Sequence, residues 1–65
     1  MKILLKEIME QQNLSVRKAA YLTGIPTATI YDIMREKSDP RMSVMEQLAK
    51  GLGVRIENLY DSEFK

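Results

Sequence analysis

The sequence predicts an all-α protein, a compact domain of five short helices. Apolar residues recur at helical spacing, as in Leu4 and Ile8 or Ile30 and Ile33, which places them on one side of a helix. No segment shows the sustained alternation of apolar and polar residues that is typical of a strand. Glycine, proline and asparagine separate the periodic segments and favour tight connections.

The first two predicted helices are bounded by residues suited to helix ends. The first covers Lys2–Gln12, and Asn13 closes it because asparagine tolerates the left-handed conformation in which helices end. Ser15 is a good N-cap for the second helix because its hydroxyl can accept a hydrogen bond from a free amide. Gly24 stops the second helix because it adopts a left-handed C-cap without steric strain.

The third helix follows after a very short connection. Pro26 and Thr27 are both suitable as its cap, and the sequence does not decide between them. Lys37–Pro40 has turn composition and ends this helical segment. Its apolar residues form one stripe, at i, i+3 and i+4: Ile30, Ile33 and Met34.

The fourth helix is predicted to begin at Ser43 as a cap and to end at Gly51 and Gly53. Asp61–Lys65 is expected to be a frayed tail. Between them, a last short helix holds Ile56, Leu59 and Tyr60.

Composition excludes several classes of function. The 65 residues include no cysteine and no histidine, so disulfides, thiolate zinc sites and histidine-based catalysis are excluded. No nucleophile–base pair, phosphate loop or metal-ligand cluster is visible. We therefore expect no enzyme activity, no cofactor, no metal and no small-molecule ligand. The longest apolar run is Ala19–Leu22, which spans no membrane, so a cytoplasmic protein is expected.

Charge is nearly balanced overall but not locally. The net charge is +1, from 10 basic and 9 acidic residues. Residues 15–41 carry a surplus of +2, whereas residues 42–65 carry −1. A surplus this small is also common on an ordinary solvated surface.

Three residues support a helix-turn-helix at about residues 16–35. Ala20 is small where two helices cross closely, and Gly24 suits the turn. Ile30 is an apolar plug for the angle between the helices. With the apolar stripe inward, at about 100° per residue, Ala28, Asp32 and Arg35 point outward. Thr27 and Tyr31 then lie on one flank of that outward face.

The chain resembles the phage-repressor, Cro- and Xre-like helix-turn-helix family over nearly its whole length. The resemblance implies one lambda-repressor-like five-helix domain over residues 1–65 that binds double-stranded DNA. It also implies that the third helix lies in the major groove and that dimers bind two half-sites about one helical turn apart. The segments that match the family are Asn13–Ser15, Ala19-Ala20, Thr23–Ile25, Thr29–Ile33, Asp39-Pro40 and Leu48–Val54.

The family's groove-facing positions correspond to Thr27, Ala28 and Asp32. The Thr27 hydroxyl can bond a base edge, its methyl group or Ala28 can touch a thymine methyl, and Asp32 can accept from cytosine N4. Tyr31 is predicted to reach a phosphate or pack beside the groove. Two plainer interpretations stay open: Asp32 pairs with Arg35, and Tyr31 is a partly packed surface aromatic.

Five residues match loop and helix-end positions that hold DNA phosphates in the family. One of them, Arg41, has the alternative role of only supporting its loop. The predicted backbone-contacting residues are Arg17, Arg35, Lys37, Ser38 and Arg41.

Several residues depart from the family pattern. Glu36 stands where a glycine usually ends the third helix, so either the helix ends differently or Glu36 is left-handed. Arg55 replaces the usual cap of the fifth helix, which predicts a weaker cap. Met9 and Met34 replace a partly buried ion pair, and we expect the two methionines to touch.

Two functions are therefore open. The first is a sequence-specific DNA-binding transcriptional regulator, a repressor that acts as a homodimer. The second is a protein–protein interaction module on the same fold, such as an antitoxin or a regulatory subunit. The candidate dimer interface consists of Ile56, Tyr60 and Phe64. Leu59 is expected in the monomer core, and for Ile56 the core is the alternative to the interface.

Overall fold

The computed structural model describes residues 1–37 and 39–65. The mainly helical prediction is confirmed, but the described residues form four α-helices, and the predicted fifth helix is wrong. The elements are β1 (Lys2–Ile3), α1 (Leu5–Gln11), α2 (Val16–Thr23), α3 (Thr27–Met34), α4 (Met42–Leu52), a 3-10 turn (Ile56–Asn58) and β2 (Tyr60–Asp61). None of the helices in this part of the chain has the length and apolarity to cross a bilayer.

A small sheet joins the two ends of the chain, contrary to the all-α prediction. β1 and β2 pair antiparallel, with Lys2 opposite Asp61 and Ile3 opposite Tyr60. The amide of Leu4 extends this ladder by donating to the Leu59 carbonyl at 2.7 Å. The first residues therefore satisfy their backbone groups across the sheet, and α1 begins at Leu5 instead of Lys2.

The predicted frayed tail is also ordered by contacts with the preceding turn. Asp61 belongs to β2. The Lys65 ammonium donates to the carbonyls of Glu57 and Tyr60, and lies 5.1 Å from the centre of the Tyr60 ring. These contacts fold residues 61–65 back over the 3-10 turn.

The predicted fifth helix is only one 3-10 turn. Its amide–carbonyl bonds join Asn58 to Arg55 and Leu59 to Ile56, both at 2.9 Å. The Asn58 side chain accepts from the Arg55 amide at 3.2 Å, whereas the Arg55 guanidinium pairs with Glu57 at 3.2 Å. A guanidinium has no acceptor, so the Arg55 side chain cannot accept from a backbone amide of the turn as a serine or aspartate cap would. This missing hydrogen bond agrees with the weaker cap expected at this position. The chain then enters β2.

The predicted helix ends are confirmed in part. Ser15 caps α2, accepting from the Lys18 amide at 3.1 Å. Asn13 is left-handed at φ 60° after α1. Ser43 is wrong as the cap of α4: the N-cap is Arg41, two residues earlier, and its carbonyl accepts from the Val44 and Met45 amides.

One cluster of buried side chains holds the described elements together. The four largest of the fully buried side chains in this cluster are Leu5, Ile30, Leu48 and Leu59. Leu59 therefore belongs to the monomer core, as expected. The remaining buried apolar residues are Ile8, Met9, Ala19, Ile25, Ile33, Met45, Ala49 and Leu52.

The Met9–Met34 contact stays a prediction, with favourable surroundings. Met9 is buried on α1, Met34 is half-buried against the same core from α3, and these two helices pack together. In a double-mutant cycle of Met9→Ala and Met34→Ala, we expect a coupling of about 0.5 kcal/mol or more in the free energy of unfolding. The control cycle replaces Met34 with Met42, which is exposed. Equal coupling in both cycles contradicts the contact.

Candidate nucleic-acid interface

The turn between α2 and α3 is fixed by backbone geometry. Gly24 is left-handed at φ 73°, and its amide donates to the Ala20 carbonyl at 2.8 Å, which ends α2. Ile25 is buried. Pro26 is the N-cap of α3 with φ −57°, which settles the choice between Pro26 and Thr27. The two helices are thus joined by three residues, Gly24–Pro26.

Thr23 is a buried polar residue that locks this turn. Its hydroxyl donates to the Ala19 carbonyl at 2.7 Å and accepts from the Ile25 amide at 3.2 Å. The same side chain therefore ends α2 and satisfies a buried amide of the turn. The sequence alone does not predict this role of the hydroxyl, since a threonine near the end of a helix is common and does not by itself indicate a buried hydrogen bond.

Replacing Thr23 with valine is expected to lower the free energy of unfolding by about 1–2 kcal/mol, because the buried Ile25 amide loses its acceptor while the shape is retained. Chemical denaturation measures the loss. Thr29→Val is the matched control, because Thr29 is half-buried and makes no side-chain hydrogen bond among the described residues. Equal effects of the two substitutions would refute this role of Thr23.

α4 supports the end of α2 from behind. The Gln47 side-chain amide donates to the Thr23 carbonyl at 2.9 Å. Gly51, predicted to mark the end of α4 together with Gly53, instead lies inside the helix, and its Cα faces the backbone of Leu22 and Thr23. The helix ends at Gly53, left-handed at φ 68°. No local pattern predicts the Gln47 contact, because its partner is 24 residues away in the sequence.

α3 presents the outward face that the apolar spacing predicts. Ile30 and Ile33 are buried and Met34 is half-buried, which seats the helix on the core. The opposite side carries the four predicted base-reading residues, and all four are exposed: Thr27, Ala28, Tyr31 and Asp32.

Tyr31 and Arg35 form a stacked pair on this face. The Arg35 guanidinium lies 5.3 Å from the centre of the Tyr31 ring, a cation–π distance. Among residues 1–37 and 39–65 the single ion pair is Arg55–Glu57. The alternative in which Asp32 pairs with Arg35 is therefore wrong in this structure. Asp32 has no side-chain hydrogen bond within those residues, and its carboxylate faces solvent.

α3 ends in a compact motif that depends on Glu36. Glu36 is left-handed at φ 58°, which confirms one of the two expectations for this position. Its amide donates to the Ile33 carbonyl, and the Lys37 amide donates to the Asp32 carbonyl, both at 3.1 Å. This pair of bonds is a Schellman motif, which usually has glycine at the left-handed position. It places Lys37 directly after the helix.

The predicted phosphate-contacting side chains lie at helix ends on exposed positions. Arg17 is the second residue of α2, Arg35 follows α3, and Arg41 precedes α4. Lys37 is exposed beyond the end of α3. Ser38, which was also predicted, lies outside the described residues.

The candidate dimer residues differ in accessibility. Ile56 and Tyr60 are half-buried against the monomer core. Phe64, by contrast, is 90% exposed. Part of the predicted dimer interface, formed by Ile56 and Tyr60, therefore packs against the core of the same chain.

The short fixed turn, the seated third helix and the supporting fourth helix define a helix-turn-helix domain. The sequence profile of the helix-turn-helix family matches residues 5–59, and the chain belongs to that family. The resemblance inferred from the motif segments is thus confirmed.

Two curated relatives match nearly the whole chain. The HTH-type transcriptional regulator PuuR of Escherichia coli (strain K12) and the protein of the same name from Shigella flexneri are each 34% identical over 61 residues. The match covers 94% of this chain and 33% of each relative, so the chain spans about a third of their length. No solved structure is significantly similar to the chain.

Proposed function

We propose that residues 1–65 form one DNA-binding domain of a sequence-specific transcriptional regulator. The observation that carries the proposal is the exposed polar face of α3, which is seated on the core by the buried Ile30 and Ile33. The relatives are named transcriptional regulators, which supports the same function. Core residues from Leu5 to Leu59 form one cluster, which supports a single domain.

In this proposal α3 lies in the major groove and four side chains meet the bases. Thr27 and Ala28 are at the entrance of the helix, where recognition helices touch base edges. Tyr31 and Asp32 lie one turn further along the same side. None of the four is an arginine, asparagine or glutamine, so bidentate readout is scarce and DNA shape contributes to specificity.

Phosphate contacts supply much of the affinity. Four of the predicted phosphate-contacting side chains are exposed, at the start of α2, after α3 and before α4: Arg17, Arg35, Lys37 and Arg41. Ser38 completes this set as a prediction from the sequence alone. Since each contact releases counterions, affinity falls steeply as salt rises.

The functional unit in this proposal is a homodimer on an operator of two half-sites. A few contacts in one half-site give low affinity, whereas two linked half-sites gain from effective concentration. Phe64, with parts of Ile56 and Tyr60, is the proposed interface, because Phe64 is almost fully exposed and an apolar ring of that size favours burial. A dimer seated over a promoter represses by occupying it.

Selection from random duplex DNA, followed by binding of the selected duplex at several salt concentrations, tests this function. We expect a two-fold symmetric consensus and affinity that falls on a log–log plot against salt. Analytical ultracentrifugation of the complex is expected to show two chains per duplex.

A flat salt response with no enriched sequence overturns the proposal. If the protein instead captures a stoichiometric protein partner, and substitution of Thr27 and Asp32 leaves that capture intact, an interaction module is the correct function. One chain per selected duplex contradicts the dimer while leaving DNA binding intact.

A further inference from the structure

We propose that Asp32 selects a cytosine in each half-site, and that this contact tolerates a methyl group on C5 but not on N4. The proposal rests on the proposed function, since it requires α3 to lie in the major groove. It adds the identity of one base and a response to DNA methylation.

The Asp32 carboxylate is open to a hydrogen-bond donor from outside the protein. Asp32 is exposed, and within residues 1–37 and 39–65 its side chain makes no hydrogen bond or ion pair. Arg35, the cation that the helix period places on the outward face with Asp32, stacks on Tyr31. Arg35 is thus oriented by the ring, and the carboxylate is left as an acceptor for a group outside the protein.

The donors in the major groove determine which base a carboxylate can bind. A carboxylate only accepts, and the groove offers two amino donors, adenine N6 and cytosine N4. Adenine carries the N7 acceptor beside its amino group, and this acceptor repels a carboxylate. Cytosine has a C–H group at C5 beside N4. Asp32 therefore favours cytosine over adenine, guanine and thymine.

The side chains next to Asp32 determine what a methyl group on the cytosine edge would contact. Ala28 is four residues before Asp32, on the same side of α3, and is exposed with only a methyl group. The Tyr31 ring is exposed on the neighbouring flank. A C5 methyl group next to Asp32 therefore meets small or apolar side chains. An N4 methyl group replaces the amino hydrogen that faces the groove, because the other hydrogen pairs with guanine, so Asp32 loses its donor.

The experiment starts from the duplex selected by the wild-type protein. Each cytosine is replaced in turn by 5-methylcytosine or by N4-methylcytosine, and the dissociation constant is measured by fluorescence anisotropy. At one cytosine per half-site, we expect N4 methylation to weaken binding about 5-fold or more, in line with one lost base contact. At the same cytosine, C5 methylation is expected to leave binding unchanged or to tighten it by up to about 4-fold, from burial of one methyl group.

Two variants assign the effect to Asp32. Asp32→Asn is expected to abolish the penalty for N4 methylation and to shift the selected base toward adenine, which asparagine binds through N6 and N7. Glu36→Gln is the matched control, because it removes the same charge one turn later on an exposed residue. It is expected to raise overall affinity through reduced phosphate repulsion while the ratio between methylated and unmethylated duplexes stays at the wild-type value.

The outcomes separate this proposal from the function on which it rests. If DNA is selected but no cytosine shows an Asp32-dependent penalty for N4 methylation, the cytosine contact is wrong and the function stands. The same holds if C5 methylation weakens binding as much as N4 methylation. If no duplex is selected at all, the proposed function fails and this contact fails with it.

Discussion

Gly51→Ala is expected to lower the free energy of unfolding by about 2 kcal/mol or more, the cost of forcing extra atoms into a packed contact. A Cβ atom at position 51 would lie 2.6 Å from the Thr23 Cα and 2.7 Å from the Leu22 carbonyl oxygen. Both are backbone atoms, so relief requires α2 and α4 to move apart. The gain in helix propensity, about 1 kcal/mol for glycine to alanine, is smaller than this cost.

Gly53→Ala is the matched control for that substitution. Position 53 is left-handed at φ 68°, but no atom lies within 4 Å of a Cβ built there. The cost is then backbone strain alone, roughly 1 kcal/mol. In thermal denaturation we expect Gly51→Ala to lose about 10 °C in Tm, clearly more than Gly53→Ala. An equal or smaller loss for Gly51→Ala contradicts the close approach of α2 and α4.

Substituting alanine for Arg17 or for Arg35 is expected to weaken operator binding about 100-fold. A dimer loses two charge-assisted phosphate contacts per substitution, at roughly 1.5 kcal/mol each. Both residues are exposed at helix ends, so their removal leaves the core intact. The slope of log affinity against log salt is expected to fall by about 2, one for each lost contact.

Arg55→Ala is the control for charge. Arg55 carries the same charge, lies outside the helix-turn-helix and pairs with Glu57. Its removal is expected to change affinity by less than about 3-fold, since distant surface charges are largely screened. If Arg55→Ala weakens binding as much as Arg17→Ala, net charge governs affinity and the proposed phosphate contacts are wrong.

The sequence predicts the central part of the fold well, because that part is local. Ser15 begins α2, whereas Asn13 and Gly24 follow the ends of α1 and α2. Their contacts reach residues at most five positions away, and such local contacts leave clear signals in the sequence. The apolar stripe of Ile30 and Ile33 likewise predicts which side of α3 is buried. The exposed side then follows from helix geometry alone.

The elements that the sequence did not predict depend on distant partners. Lys2–Ile3 becomes a strand only because Tyr60–Asp61 lies beside it, and two residues are too few to show an alternating pattern. The interior position of Gly51 depends on the α2 backbone behind it. Glycine by itself indicates a helix end equally well, which is why the prediction is wrong for Gly51 although it is right for Gly53.

In the candidate site, too, some features follow from the local sequence and others do not. Exposure of Thr27, Ala28 and Asp32 follows from the helix period, whereas the partner of Arg35 is known only from the structure. Spacing allows Arg35 to meet either Asp32 at i−3 or Tyr31 at i−4. In the structure Arg35 stacks on Tyr31, and this choice leaves Asp32 as an acceptor.

The central claim is that the exposed face of α3 meets duplex DNA. It is tested most directly by titrating 15N-labelled protein with the selected duplex and following amide chemical shifts, with a scrambled duplex as the control. We predict that the largest changes fall on residues 27–37 and around Arg17, and that they are weaker with the scrambled duplex. Changes centred on α1 and the β1–β2 pair, with residues 27–37 unaffected, would contradict the claim.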